Sequence, residues 1–164
     1  MRTPIVALAV LAASTIARAE PPVTALDLRV VRPDGTTAKV HEVIGDGPAL
    51  VVFWATYCAP CRAEVPVVNR AAERWRDKGL RVLGVDLETD VRRMREAREA
   101  WGIHYEVMAI AANQEALTAT LFPRGLPASA VVARGAAIIH ENMLDDAALE
   151  TLVVPLLEPR SPAQ

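Results

Sequence analysis

The two cysteines of the chain stand three positions apart, in the segment Cys58-Ala59-Pro60-Cys61. A disulfide between them would close a very short loop, and it would therefore remove little entropy from the unfolded chain. A structural zinc site usually needs four ligands, and two thiolates supply only half of them. Two thiols held this close can be oxidised and reduced repeatedly, so the spacing favours redox chemistry over a structural role.

The residues around the cysteines predict a turn between a strand and a helix. Ala49 to Phe53 is a continuous apolar run, which is typical of a buried central strand. After the cysteines, apolar residues recur on one face of a helix that ends before Gly79: Val65, Val68, Ala72 and Trp75. The cysteines therefore lie at a helix N-terminus, where unpaired backbone N–H groups and the helix dipole stabilise a thiolate.

Two prolines fit this helix in different ways. Pro60 suits the first turn, where the missing N–H costs nothing. Pro66 falls inside the helix and predicts a kink.

The segment from Trp54 to Pro66 resembles a known family. It reads Trp-Ala-Thr-Tyr-Cys-Ala-Pro-Cys-Arg-Ala-Glu-Val-Pro, which is similar to the motif of the TlpA/ResA/CcmG (DsbE)-type extracytoplasmic thiol-disulfide oxidoreductases of the thioredoxin superfamily. The resemblance runs from about Leu26 to Leu157. It implies an α/β thioredoxin fold, in which helices flank a central mixed β-sheet. It also implies an N-terminal β-hairpin and a TlpA-type strand–helix insertion between Thr89 and Ala111.

Three residues are candidates for catalysis. Cys58 is nearer the helix end and is predicted to be the more exposed, attacking thiol, and Cys61 is predicted to resolve the mixed disulfide. Glu64 lies one helical turn past Cys61, and the matching glutamate of the family is proposed to assist proton transfer. A shielded carboxyl with a raised pKa would suit that role. The alternative is a solvated Glu64 balanced by a nearby arginine.

Further residues, Pro60 among them, are predicted to support the site or bind partners. Gly125-Leu126-Pro127 precedes an apolar run and resembles the cis-proline loop of the family. That resemblance implies a cis Leu126–Pro127 bond and a Leu126 backbone offered to an extended partner segment. Trp54 is expected to form the floor of the site. Tyr57 stands where thioredoxins commonly have tryptophan, so it is expected to alter the fit of partners.

The rest of the chain alternates between strand and helix patterns, as an α/β fold requires. Leu28–Val31 and Lys39–Val43 are predicted to pair as a hairpin around Asp34-Gly35. Further strands are predicted at 80–86, 105–110, 130–133 and 136–140, and Arg134-Gly135 is predicted to form a turn between the last two. Further helices are predicted at 91–101, 114–121 and 145–157. Asp90 is expected to cap the helix at 91–101, and Gly102 is expected to end it.

The N-terminus resembles an export signal. Arg2 precedes an uncharged apolar run, and Ala17-Arg18-Ala19 fits the rule for a cleavage site. We therefore expect residues 1–19 to be a signal peptide, residues 20–158 a thioredoxin-like domain and residues 159–164 a flexible tail. The alternatives for residues 1–19 are an uncleaved anchor or a helix of the domain. On the main interpretation the protein is periplasmic.

Composition and resemblance together narrow the function. A formal net charge of -2 without a basic run argues against nucleic-acid binding. The resemblance implies a disulfide reductase that acts on exported proteins, for instance in cytochrome c maturation or copper-site assembly, and we expect it to be a monomer. Its cofactor is its own Cys58–Cys61 pair, with no metal, and its electron donor is a membrane thiol transporter. A disulfide-forming oxidant and a copper(I) carrier that uses both thiolates remain the alternatives.

Overall fold

A mixed β-sheet organises the chain. The computed structural model describes residues 24–32, 34–133 and 136–157. Within these ranges there are seven strands: β1 (Arg29–Val31), β2 (Thr37–Lys39), β3 (Ala49–Trp54), β4 (Arg81–Asp86), β5 (Glu106–Ile110), β6 (Ala128–Ala133) and β7 (Ala136–His140). The predicted export segment, the C-terminal tail and the turn at Arg134-Gly135 lie outside the described residues.

Five α-helices accompany the strands of the described ranges. They are α1 (Val40–Ile44), α2 (Ala59–Arg74), α3 (Val91–Trp101), α4 (Glu115–Leu121) and α5 (Asp146–Leu157), with short 3-10 turns at Ala25–Asp27 and Arg76–Lys78. No helix among these residues combines the length and the apolar character needed to cross a membrane.

The sheet order is β2-β1-β5-β4-β3-β6-β7. The three central strands β5, β4 and β3 run parallel, whereas β1, β2, β6 and β7 join through antiparallel pairs. Every residue of β3 is buried, which confirms the predicted central strand. The arrangement is the α/β thioredoxin-like fold that the resemblance implied, with helix α3 and strand β5 in the predicted insertion.

Apolar cores cover both faces of the sheet. On one face, α2, α3 and α5 contribute buried residues such as Val65, Met94 and Leu149. On the other face, α1 and the 3-10 turn bury Ile44 and Leu26, and α4 packs partly buried leucines against the same core. The helices are therefore held by burial on both sides of the sheet, and α2 is fixed against β3 directly beside the cysteines.

The N-terminal hairpin is confirmed, but its second strand was predicted wrongly. The strand expected at Lys39–Val43 is β2 at Thr37–Lys39, and the chain then turns into α1. The physical reason lies in the spacing of the buried residues Val40, Val43 and Ile44, which follows one face of a helix instead of alternating. Glu42 also accepts the Lys39 N–H at 2.8 Å, which satisfies a free donor at the start of α1.

The predicted helix boundaries agree with the structure. Asp90 caps α3 by accepting the N–H groups of Arg92 and Arg93, and Gly102 ends α3 in the left-handed conformation at φ 65°. Gly79 adopts φ 86° after the 3-10 turn that follows α2. Glycine takes this conformation without the steric cost of a Cβ, which explains why both helical segments stop where they do.

Candidate active site

Cys58 and Cys61 lie at the junction of β3 and α2 and are joined by a disulfide, with their Cα atoms 5.3 Å apart. Cys58 is the N-cap of α2, and its Sγ accepts the backbone N–H of Cys61 at 3.2 Å. Pro60 lies in the first turn, as predicted. Cys58 is 6% exposed and Cys61 2%, so Cys58 is the more accessible of two buried residues.

A tight turn carries the chain from β3 to Cys58. The Cys58 N–H donates to the carbonyl of Ala55 at 2.9 Å, and the Leu87 N–H donates to the carbonyl of Trp54 at 2.8 Å. Trp54 is buried beneath the turn, and its ring lies 5.2 Å from that of Trp101 on α3. Trp54 is thus buried at the start of the turn, and its predicted role at the floor of the site stays a prediction.

The loop before β6 lies beside the cysteines. The Leu126–Pro127 bond is cis, which confirms the expectation from the resemblance. A groove of about 540 Å³ runs between the cysteine turn and this loop. Its lining residues come from the turn, from the end of β4 and from the region of α4: Tyr57, Cys58, Ala59, Pro60, Leu87, Thr118, Ala119, Phe122, Gly125 and Leu126.

Most of the predicted partner-binding residues meet in this groove. Tyr57, Pro60 and Leu126 line it, whereas Trp54 and Pro127 are not among the lining residues. Tyr57 is 76% exposed, so its ring is available to a bound polypeptide. The lining is mostly apolar, and it reaches Cys58 but not Cys61. An extended chain in the groove would therefore meet the Cys58 sulfur first.

Glu64 is buried on the face of α2 that also carries Cys61. Its carboxyl accepts the backbone N–H of Leu144 at 2.9 Å. Burial raises the pKa of Glu64 to about 7, and the Leu144 hydrogen bond opposes this only in part. The charged form of Glu64 contributes in turn to a raised pKa of Tyr105, after the larger effect of burial. Glu64 is thus not the solvated side chain of the alternative interpretation.

A second buried carboxyl, Asp86, ends β4 directly opposite Trp54. Burial raises the pKa of Asp86 to about 7, the N–H of Glu88 lowers it in part, and the Glu88 carboxylate raises it. One Asp86 oxygen accepts that N–H at 3.0 Å, and the other has no hydrogen-bond partner among the described residues. Asp86 was not predicted as a site residue, although a carboxylate at the buried end of a strand is a recognisable signal.

Thiol-disulfide oxidoreductases of the ResA type and thioredoxins are similar to this chain in sequence. The ResA thiol-disulfide oxidoreductase of Oceanobacillus iheyensis is 33% identical over 55 residues, which cover 34% of this chain and 28% of ResA. The chain therefore matches less than a third of the length of that relative. The thioredoxin of Mycolicibacterium smegmatis is 32% identical over 106 residues, which cover 63% of this chain and 83% of that thioredoxin.

A solved structure shows the same fold. A secreted Mycobacterium tuberculosis disulfide oxidoreductase, described as homologous to E. coli DsbE, superposes with a TM-score of 0.63 at 18% identity. The superposition covers 80% of this chain and 97% of that protein. At this identity the likeness concerns the fold alone.

The family model of AhpC/TSA proteins matches residues 22–143, which include both cysteines and the cis-proline loop. The chain belongs to the AhpC/TSA family. Together with the thioredoxin-like fold, this membership confirms the family resemblance that the residues Trp54 to Pro66 had indicated.

The raised pKa of Glu64 predicts a pH-dependent cost in stability. The unfolded carboxyl titrates near its ordinary value of 4.5 and the folded one near 7, so the folded state holds the proton more tightly. The free energy of unfolding of the wild type should therefore fall, relative to Glu64→Gln, as the pH rises from about 4.5 to about 7. The expected loss is on the order of 2–3 kcal/mol.

Urea unfolding of the oxidised proteins at fixed pH values measures this difference. Glu73→Gln, an exposed position further along α2, is the matched control and should show no such trend. If the difference in the free energy of unfolding between wild type and Glu64→Gln stays constant across this pH range, the raised pKa of Glu64 is contradicted.

Proposed function

We propose that this protein is a thiol-disulfide oxidoreductase that reduces disulfides in exported client proteins. The observation that carries the proposal is the Cys58–Cys61 pair at the N-terminus of α2, with Cys58 Sγ within hydrogen-bond distance of the Cys61 N–H. The first backbone N–H groups of a helix have no partner within the helix, and they stabilise an anionic sulfur placed among them. The pair therefore has the local environment of a reactive thiol.

The proposed reaction starts from the reduced pair. The Cys58 thiolate attacks one sulfur of a client disulfide, a Cys58–client disulfide forms, and the other client sulfur leaves as a thiolate. The Cys61 thiolate then attacks the Cys58 sulfur, and the second client thiolate leaves. Two electrons pass to the client, and the Cys58–Cys61 disulfide is restored. A dithiol donor must reduce that disulfide before the next cycle, and we propose a membrane thiol transporter for this role.

The groove beside Cys58 supports an extended polypeptide as the substrate. Its apolar lining would contact client side chains next to the cysteine under attack. Leu126 lies half-buried in the cis-proline loop at the edge of this groove. We propose that its backbone pairs with the client segment, and that Tyr57 contributes to the choice of client. Client roles in cytochrome c maturation or copper-site assembly are part of the same proposal.

We propose Glu64 as the proton acceptor of the site. Its position one turn past Cys61 and its pKa of about 7 make the carboxyl able to exchange a proton near neutral pH. Oxidation of the pair releases the thiol protons, and a buried carboxylate on the helix face that carries Cys61 would accept one of them. Reduction of the disulfide would reverse that transfer.

We also propose that residues 1–19 direct export, so that the protein works outside the cytoplasm. The Ala17-Arg18-Ala19 sequence supports this proposal. The structural neighbour from M. tuberculosis is itself described as secreted.

The direction of electron flow is tested by the reduction potential of the Cys58–Cys61 pair. A reductase should have a potential near that of thioredoxin, roughly -270 mV, whereas an oxidant should lie near roughly -120 mV. Equilibration of the purified protein with glutathione or dithiothreitol buffers, followed by trapping of free thiols, gives the value. A potential at the oxidising end would replace the reductase proposal with its oxidant alternative.

The roles of the two cysteines predict opposite results for their serine variants. Cys61→Ser should accumulate mixed disulfides with client proteins, because the resolving thiol is missing. Cys58→Ser should accumulate none, because its remaining sulfur is the more buried one. Non-reducing gels followed by mass spectrometry identify the trapped species. Faster alkylation of Cys61 than of Cys58 in the reduced wild type would show that the roles are reversed.

The proton-transfer role of Glu64 predicts slower exchange in Glu64→Gln. General-base contributions are commonly on the order of 10²–10⁴-fold, and thiolates also form unaided, so we expect the low end of that range or less. Rates of insulin reduction are measured from pH 5 to 9. The profile should lose its inflection near pH 7, while Glu73→Gln should behave as wild type. Identical profiles for wild type and Glu64→Gln would remove Glu64 from the mechanism.

A further inference from the structure

A polar network joins the turn before Cys58 to the loop that follows β4. The Thr56 N–H donates to a carboxylate oxygen of Glu88 at 2.6 Å. The guanidinium of Arg93 donates to Thr56 Oγ1 at 3.1 Å and contacts the other Glu88 oxygen at 3.3 Å. The Arg93–Glu88 ion pair therefore binds both the backbone N–H and the hydroxyl oxygen of Thr56.

Glu88 and Arg93 are themselves fixed by hydrogen bonds of their backbone N–H groups. The backbone N–H of Glu88 donates to the buried carboxyl of Asp86, which sets the position of the loop after β4. Arg93 lies in the first turn of α3, and its N–H donates to the cap residue Asp90. The Glu88 side chain is only 19% exposed. A partly shielded charge-assisted hydrogen bond of this kind is stronger than one at an open surface.

The network holds the turn that presents the Cys58 sulfur. Thr56 lies two positions before Cys58, inside the turn closed by the Cys58 N–H and the carbonyl of Ala55. That turn sets Cys58 as the N-cap of α2, which is the condition for its Sγ to accept the Cys61 N–H. Without Glu88, the Thr56 N–H would lose its acceptor, and the turn would gain conformational freedom.

The pairing of charges matters as well. A lone carboxylate beside the turn would disfavour a thiolate at Cys58. Arg93 compensates the charge of Glu88, so the carboxylate can hold the turn at little electrostatic cost to the sulfur.

We propose that Glu88 and Arg93 are positioning residues of the redox pair: they hold the turn at Thr56 in the geometry that gives Cys58 its reactivity. This inference rests on the proposed role of Cys58 as the attacking thiol. It assigns to the loop after β4 and to the start of α3 a part in the chemistry, although neither residue touches the sulfurs.

Alkylation of the reduced full-length protein by iodoacetamide tests the proposal, with mass spectrometry to locate the modified cysteine. Glu88→Ala and Glu88→Gln both leave Arg93 without its partner charge, but only Glu88→Gln keeps an acceptor for the Thr56 N–H. At pH 7, Cys58 should therefore react about two- to tenfold more slowly in Glu88→Ala than in Glu88→Gln, the range that one net hydrogen bond corresponds to.

Two further variants make the test decisive. Glu96→Ala breaks the Arg92–Glu96 ion pair on the exposed face of the same helix and should leave Cys58 unchanged. Arg93→Met leaves the Glu88 carboxylate uncompensated and should also slow Cys58, which keeps the proposal testable if Glu88→Ala does not fold. Wild-type alkylation profiles in Glu88→Ala and Arg93→Met would overturn it. Equal shifts in Glu88→Ala and Glu88→Gln would overturn it too, because charge and not position would then be the cause.

The alkylation test of the positioning role can fail independently of the proposed function. A wild type that does not reduce insulin contradicts the reductase proposal, whatever the alkylation profiles show. A wild type that reduces insulin, with profiles unaffected by Glu88→Ala and Arg93→Met, contradicts only the positioning role.

Discussion

Cys58 can act as the N-cap of α2 only because β3 and α2 are joined by a turn of fixed geometry. The N–H of Cys61, in the first turn of α2, then donates to the Cys58 sulfur at 3.2 Å. Every other feature of the site either maintains this junction or gives a partner access to it. β3 is buried along its whole length and anchors one end of the turn, and the apolar face of α2 anchors the other.

Two carboxyl groups with raised pKa values lie on α2 and on the strand paired with β3. Glu64 belongs to α2 and Asp86 to β4, and burial raises the pKa of both to about 7. Such groups oppose folding when they ionise, so their burial has a cost in stability near neutral pH.

Access to the sulfurs is asymmetric. The groove formed by the cysteine turn, α4 and the cis-proline loop reaches Cys58, whereas Cys61 and Glu64 lie behind it in the core. On the proposed mechanism, a client would meet the sulfur at the helix end first, and the second sulfur would be reached only through the mixed disulfide.

The sequence alone determined the features that depend on neighbouring residues. The CxxC spacing, the apolar run of β3, the face of α2 and the caps at Asp90 and Gly102 are local, because backbone geometry and periodicity act over a few residues. The same local reasoning failed at Val40–Ile44, where a short apolar segment fits both a strand and a helix pattern. The cis bond before Pro127 was predicted from resemblance, since local sequence leaves most such bonds trans.

Only the tertiary structure decided the environment of the site. The Leu144 N–H reaches Glu64 across 80 positions, and Arg93 reaches Thr56 across 37. The groove likewise joins α4 and Leu126 to a turn roughly sixty residues earlier in the chain. Such contacts depend on the order of strands in the sheet and on which helices cover each face. Burial, and with it the pKa of Glu64 and Asp86, follows from that packing and from no local pattern.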